Sequence, residues 1–201
     1  MYVRLTNLSD VTNLEAGLAH LADTAVAELA AMHGYRGLSV SGDRSGGRVG
    51  VLAMWDSLAD LEASDSAVSK VRQATAAAFG GTAKVEIFEE VSSEVGASPP
   101  EPGCVVLIRR AHIGPDKLDE AIAFNRDVVI PLGRSQPGFR ATRAMVDRRT
   151  GDAVVGIVFT DRASMDAARR AIEGPVLDQL AERGIGISEP EIRELLFVHL
   201  P

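Results

Sequence analysis

Cysteine is almost absent: Cys104 is the only one among 201 residues. A single thiol forms no internal disulfide and supports no cysteine-built metal site, and the usage fits a reducing, cytoplasmic compartment. Aromatic residues make up only 4% of the chain, a thin supply for a pocket lined around large ring systems. Long apolar runs are missing too. Stretches such as Val154–Phe159 fall far short of the roughly 20 residues that a membrane helix needs. The opening Met1-Tyr2-Val3-Arg4-Leu5 lacks the basic stretch and apolar core of a secretory signal. Positive charge is in deficit, with 21 basic against 28 acidic residues and a net charge of −7. That balance opposes general binding to a phosphate backbone, so neither nucleic acid nor membrane is an expected partner. What remains is 46% hydrophobic and 24% charged sequence, enough to bury one large core or two small ones.

The chain repeats itself. Placing residue n on residue n+104 aligns the first 64 positions with 105–168 without a gap. Gly34-Tyr35-Arg36 falls on Gly138-Phe139-Arg140, Asp43-Arg44 on Asp147-Arg148 and Gly47 on Gly151. Further on, Val51 falls on Val155, Trp55 on Phe159 and Ala59 on Ala163. Between the copies, the proline-rich and small residues from Ser92 to Gly103 read as an extended linker. The expected organisation is a unit over 1–92, a linker over 93–103 and a second unit over 104–201.

Each copy reads as strand, helix, strand, strand, helix, strand. Alternation of Val3 and Leu5 against Arg4 and Thr6 marks a first strand over Tyr2–Leu8, and its counterpart Val105–His112 is more continuously apolar. Asp10 or Thr12 is expected to cap the next helix, and Pro115 to sit in the first turn of its counterpart. Leu14, Leu18, Leu21, Ala25 and Leu29 recur at helical spacing, as do Leu118, Ile122, Val129 and Leu132. Gly34 and Gly138 stop these helices. Hairpins follow, Arg36–Ser41 with Arg48–Trp55 and Arg140–Val146 with Ala153–Phe159. They turn at Asp43-Arg44-Ser45-Gly46-Gly47 and Asp147-Arg148-Arg149-Thr150-Gly151. Ser57 and Asp161 are candidate N-caps for the second helices. The last strands are expected over Lys84–Val91 and Glu191–Leu200.

This order is the split βαβ, or ferredoxin-like, unit of an α+β fold, with helices on one face of an antiparallel sheet. The bare face needs cover. Two tandem units supply it if their sheets pack face to face, as a dimeric α/β barrel made within one chain.

Gly34-Tyr35-Arg36-Gly37-Leu38, the glycine-rich hairpin, Val49–Asp56 with Trp55 at the strand end, and Leu58-Ala59-Asp60-Leu61-Glu62-Ala63 together resemble the antibiotic biosynthesis monooxygenase family. Pro137-Gly138-Phe139-Arg140 and Ala153–Ala168 repeat the pattern with Phe159 in place of the tryptophan. The resemblance implies the dimeric α/β-barrel fold and a small-molecule cavity between the sheet and helices of each half. It also implies cofactor-independent oxidation of an aromatic or quinone-like substrate, without metal or flavin, as the leading activity.

Within that frame His20 is the candidate catalytic proton acceptor, because an imidazole changes charge near neutral pH. Asn7, Trp55, Arg36, Phe124 and Phe159 are the candidate substrate-binding residues. Trp55 and Phe159 also read as core packing, and Asn7 as a strand-end turn residue. Arg36 and Arg140 either pair with an acidic residue of the opposite half or hold an anionic substrate. His33 reads as a helix-end cation, while His112 and His199 read as surface residues. Two other functions stay open: a non-catalytic small-molecule-binding or assembly protein, and a haem-binding or haem-degrading one. The haem-degrading relatives require a histidine on the second helix, and neither Leu58–Ala78 nor Arg162–Arg183 contains one. Further self-association, through the exposed last strands, is the remaining expectation about partners.

Overall fold

The computed structural model describes residues 1–45 and 47–200; Gly46, expected in the first hairpin turn, lies outside the described residues. The fold is α+β, with eight strands and seven α-helical segments among the described residues. Two compact units emerge: Met1–Phe88 together with the chain from Glu194, and Glu89–Arg193.

The first unit contains β1 (Tyr2–Ser9), α1 (Leu14–His20), α2 (Val26–Ala30), β2 (Tyr35–Asp43) and β3 (Arg48–Trp55). It continues through α3 (Leu58–Ala63), α4 (Asp65–Phe79) and the first part of β4 (Thr82–Val95). Its strands follow the order β4-β1-β3-β2, with the end of β8 (Glu191–His199) beside β2. β1 and β2 both run antiparallel to β3, and β8 runs antiparallel to β2. The second unit contains β5 (Val105–His112), α5 (Leu118–Phe124), α6 (Ile130–Arg134), β6 (Phe139–Asp147), β7 (Asp152–Phe159) and α7 (Arg162–Glu182). The strand order there is β8-β5-β7-β6, with the end of β4 beside β6.

Local chemistry explains most boundaries. Ser57 and Asp161 cap α3 and α7 by accepting from the backbone N–H groups of Asp60 and Ser164, which satisfies donors that a helix start leaves open. The cap of α1 is Asn13, whose Oδ1 accepts from Ala16 N at 3.2 Å, and not Asp10 or Thr12. Asp10 instead takes a left-handed φ of 58°, a conformation that removes it from a capping geometry. Pro115 lies in the turn ahead of α5, which begins at Leu118.

Two features escaped the periodicity. A π-helical turn, Leu21–Ala25, joins α1 to α2, and another, Asn125–Val129, joins α5 to α6. The last strand of the first copy also runs to Val95, because Ser92–Val95 pair with Ala144–Ala141 of β6. Residues 93–95 of the expected linker are therefore strand, and the unit boundary falls between Phe88 and Glu89, not after Ser92. Serine and glutamate carry ordinary backbone donors and acceptors, and strand pairing needs nothing more.

Strand pairing also moves the expected correspondence of residues by one. Tyr2 faces Trp55 across β1–β3, and Val105 faces Phe159 across β5–β7. The offset of β1 to β5 is thus 103, while β3 to β7 keeps 104. Thr6, not Leu5, is the counterpart of Arg109. A one-residue slip exchanges the faces of a strand, so this correction decides which residues meet the helices.

Candidate functional site

In the second unit the space between sheet and helices holds a cavity of about 140 Å³, within an opening of about 970 Å³ that includes solvent. β5 contributes Leu107, Arg109 and Ala111, and β7 contributes Ala153, Val155, Ile157 and Phe159. Both sets alternate, as one face of a sheet must. Opposite them, α5 and its π turn present Ala121, Phe124, Asn125 and Val129, while α7 presents Ala168, Arg169, Ile172, Glu173 and Val176. The helical set recurs every three or four residues. Gly174-Pro175 lies inside α7 beside this set, and a helix-interior proline removes a rung from the hydrogen-bond ladder.

The wall is apolar except for one ionic cluster, Arg110 and one amide. Glu173 forms ion pairs with Arg109 across the cavity and with Arg169, at 2.9 Å, one turn back on its own helix. Arg109 also donates to the backbone carbonyl of Ser188 at 2.6 Å. Burial and the neighbouring Arg169 pull the Arg109 pKa below its ordinary value. Among the lining side chains three arginines stand against one carboxylate, an excess of positive charge that Glu189, near Arg109, partly offsets. Asn125, the first residue of the π turn, donates to Ser92 Oγ at 3.0 Å. π turns recur at functional sites because the extra residue redirects side chains.

The equivalent space in the first unit is nearly filled. Only about 40 Å³ remains, lined by Arg4, Thr6 and Leu8 of β1, Leu21, Leu29, and the α4 residues Val68, Val71, Arg72 and Thr75, among others. Leu8, Leu21 and Leu29 occupy the places of Ala111, Asn125 and Gly133. Phe79 fills the position of Arg183; a Cβ on Gly17 would meet the Phe79 ring at 2.1 Å, so the helix and ring are in close contact. Arg183 instead lies over the Phe124 ring, 4.6 Å from its centroid.

The residues singled out from sequence are therefore divided. Phe124 and Phe159 come together in the second cavity, and Phe159 meets Phe139 edge to face at 6.4 Å. Trp55 is fully buried in the first core, edge to face with Tyr35 at 5.7 Å. Burial pushes the Tyr35 hydroxyl up to about 12. Asn7 donates to Glu86 on β4 at 2.8 Å and projects from the face of β1 opposite to that of Thr6. Arg36 binds Asp56 of its own unit through two bonds of 2.6 Å, and it is exposed. Its counterpart Arg140 donates to Thr160 at 3.0 Å. His20 ends α1, half-buried, and lines neither cavity. His33 meets Asp60 at 2.7 Å, His112 meets Asp152 at 2.8 Å, and His199 stacks on Tyr35.

Arg109, Arg169, Glu173 and Asn125 were not foreseen. Two signals pointed to them. One is an arginine interrupting the apolar run of β5, and the other is an i,i+4 arginine–glutamate pair on the helix expected to cover it. Among the described residues no group of three or more His, Cys, Asp and Glu is placed to hold a metal ion, and no helix is long and apolar enough to cross a membrane.

This fold is that of antibiotic biosynthesis monooxygenase-type proteins. A Fusobacterium nucleatum protein whose monooxygenase designation is provisional superposes with a TM-score of 0.72 at 12% identity, covering 99% of this chain and 94% of its own. An anthrone oxidase-like protein matches with a TM-score of 0.66 at 17% identity, over 99% and 93%. A Listeria monocytogenes ferredoxin-fold protein related to antibiotic biosynthesis monooxygenases matches at 0.56 and 9%, over 98% and 96%.

In sequence, the uncharacterized protein Rv2558 of Mycobacterium tuberculosis is 30% identical over 209 residues, 98% of this chain and 88% of that protein. Its neighbour in name, the uncharacterized protein Rv2557, is 28% identical over 185 residues, 92% of this chain and 82% of its own. The chain belongs to the family of these mycobacterial proteins. No family model matches it.

Proposed function

We propose that the second unit binds an aromatic, phenol- or quinone-like small molecule as its anion and oxidises it with dioxygen, without a cofactor. The observation that carries this reading is the apolar cavity with the Arg109–Glu173–Arg169 cluster in its wall. Its volume of about 140 Å³ is close to the roughly 150 Å³ of an apolar cavity that accepts benzene. One ring fits inside, and a fused ring reaches into the opening. The excess positive charge favours the ionised form of an acidic hydroxyl or enol. The anion is the electron-rich form that reduces dioxygen, so binding and activation coincide. Apolar walls exclude water from the reacting carbon. In the balanced step a ring C–H of the phenol becomes the second quinone carbonyl: the phenol and one O2 give the quinone and one H2O. The fold neighbours named for monooxygenase and anthrone oxidase activity support this chemistry.

Haem does not fit this site. Neither cavity is lined by histidine, cysteine, tyrosine or methionine, the side chains that ligate haem iron. The enclosed volume takes a single ring and not a porphyrin.

A second reading, ligand binding without oxidation, is favoured by one feature. The only carboxylate in the lining, Glu173, is held by two arginines, which leaves no free lining base. Oxygen uptake with hydroxynaphthalenes, hydroxynaphthoquinones and anthrone separates the two. One O2 consumed per quinone formed, lost in Ala111→Leu/Asn125→Leu and retained in His20→Ala, supports the oxidase. Saturable binding with no uptake selects the binding protein, and no binding at all refutes both.

Duplication of one ancestral unit belongs to the same reading. It is supported by π turns at Leu21–Ala25 and Asn125–Val129, by register shifts after Tyr35 and Phe139, and by left-handed glycines at Gly80 and Gly184.

A further inference from the structure

The small remnant cavity of the first unit is chemically unlike a leftover void. Arg4 reaches into it from β1 and is only 2% exposed. Its Nη2 donates to Leu61 O at 3.0 Å and Asp65 Oδ1 at 3.1 Å, and its Nη1 to Ser64 Oγ at 3.4 Å. Its Nε has no partner. Across the same space, Arg72 of α4 donates from Nη2 to Ser69 Oγ at 3.4 Å, while its buried Nη1 has no partner. Thr75, three residues further along the same helix and 6% exposed, has a buried hydroxyl that is likewise unpartnered. Buried polar groups are normally satisfied, so three orphaned atoms lining one small space ask for an occupant. Charge narrows the choice. Among the described residues the sole carboxylate paired to either guanidinium is Asp65, which is 65% exposed. Burial, and after it the nearby Arg72, disfavour the charge on Arg4, while Asp65 favours it.

We propose that this cavity is a binding site for a small monovalent planar oxyanion of the formate or bicarbonate class, held by Arg4, Arg72 and Thr75. Water would answer the hydrogen bonds but not the excess positive charge. Guanidinium N–H groups match planar oxyanions in geometry, because carboxylate-like oxygens accept from a fork of donors. The volume of about 40 Å³ admits a few heavy atoms and excludes the aromatic class assigned to the second unit. The site is independent of that assignment, since none of its residues lines the other cavity.

A built-in reporter makes the test direct. Trp55 is the only tryptophan, and the Arg4 guanidinium carbon stands 5.9 Å from its ring centroid. Sodium formate is titrated against the full chain at constant ionic strength, with gluconate as the balancing anion, while Trp55 fluorescence and thermal unfolding are recorded. Saturable quenching or enhancement with a concurrent rise in Tm is expected. Arg72→Met is expected to weaken the apparent affinity at least ten-fold, and Thr75→Val about three-fold, with circular dichroism unchanged in both. A wild-type response that does not saturate overturns the proposal, as does equal affinity in Arg72→Met and Thr75→Val. A tighter response to chloride than to formate overturns the assignment to oxyanions.

Discussion

The two spaces between sheet and helices are built from elements in the same order, yet one is filled and the other open. In the first unit, Leu8, Leu21, Leu29, Trp55 and Phe79 form one continuous buried cluster. In the second, the buried residues divide into separate clusters around Phe159, around Phe124 and around Leu118. Ala111, Asn125 and Gly133 remove the volume that three leucines supply. The buried arginine also moves. In the first unit Arg4 pairs with Asp65; in the second Arg109 pairs with Glu173. Arg109 lies two residues further along its strand than the counterpart of Arg4. Glu173 lies one helical turn beyond the counterpart of Asp65, once the offset of 104 gives that place to Arg169. Two strand residues cover about 6.6 Å, and helix positions four apart share a face, so the pair keeps bridging sheet to helix at a new depth. A fold of this kind converts packed core into pocket with a few side-chain exchanges and leaves the backbone order alone.

The largest effect that sharpens this contrast is on stability. Trp55→Ala is expected to cost about 3–5 kcal/mol in urea unfolding, the range for deleting a large buried aromatic. Phe159→Ala, beside a space that already exists, should fall at or below the bottom of that range. Equal losses would erase the distinction between packed and open units. Leu29→Ala should cost about 2–5 kcal/mol by opening a cavity.

Alkaline pH tests the first unit alone, since Phe139 stands where Tyr35 does. The Tyr35 pKa rises from 10.0 unfolded to about 12 folded, so the folded state holds the phenolic proton more tightly. Its contribution is intact below pH 10 and is lost as pH rises through 12, by roughly 2–3 kcal/mol. Thermal unfolding followed between those limits should show this loss, and Tyr35→Phe should flatten it. A profile unchanged by Tyr35→Phe contradicts the assignment.

The smallest effect has the opposite sign. A Cβ on Gly133 would meet nothing nearer than the Phe139 ring, at 3.9 Å, so Gly133→Ala should stabilise by about 0.5–1 kcal/mol. A destabilised Gly133→Ala protein would place strain where the account sees room.

How much of this was legible in the sequence follows from the range of each interaction. Alternation in Tyr2–Leu8 and the helical spacing from Leu14 to Leu29 are local, and they marked elements near their observed limits. The hairpin glycines and the Ser57 and Asp161 caps are equally local. The extension of β4 to Val95 was hidden because its partner, β6, lies some fifty residues on, and nothing in Ser-Ser-Glu-Val announces it. The π turns leave no composition signal, since Leu21–Ala25 and Asn125–Val129 share almost no residue types. The polar lining of the second cavity was missed for a geometric reason. An ungapped repeat set Leu5 on Arg109, whereas strand register sets Thr6 there, and one residue separates the two faces of a strand. Phe124 and Phe159 reached the cavity, while Arg36 was spent on an exposed pair with Asp56.

The most direct measurement is the dissociation constant of 2-hydroxy-1,4-naphthoquinone, by calorimetry, for the natural chain and for Ala111→Leu/Asn125→Leu. These substitutions carry the leucines of the filled unit into the open one. A loss of at least one hundred-fold, with the fold and Tm retained, is the predicted result. Unchanged affinity would place the ligand elsewhere and contradict the account of the second unit as the working half.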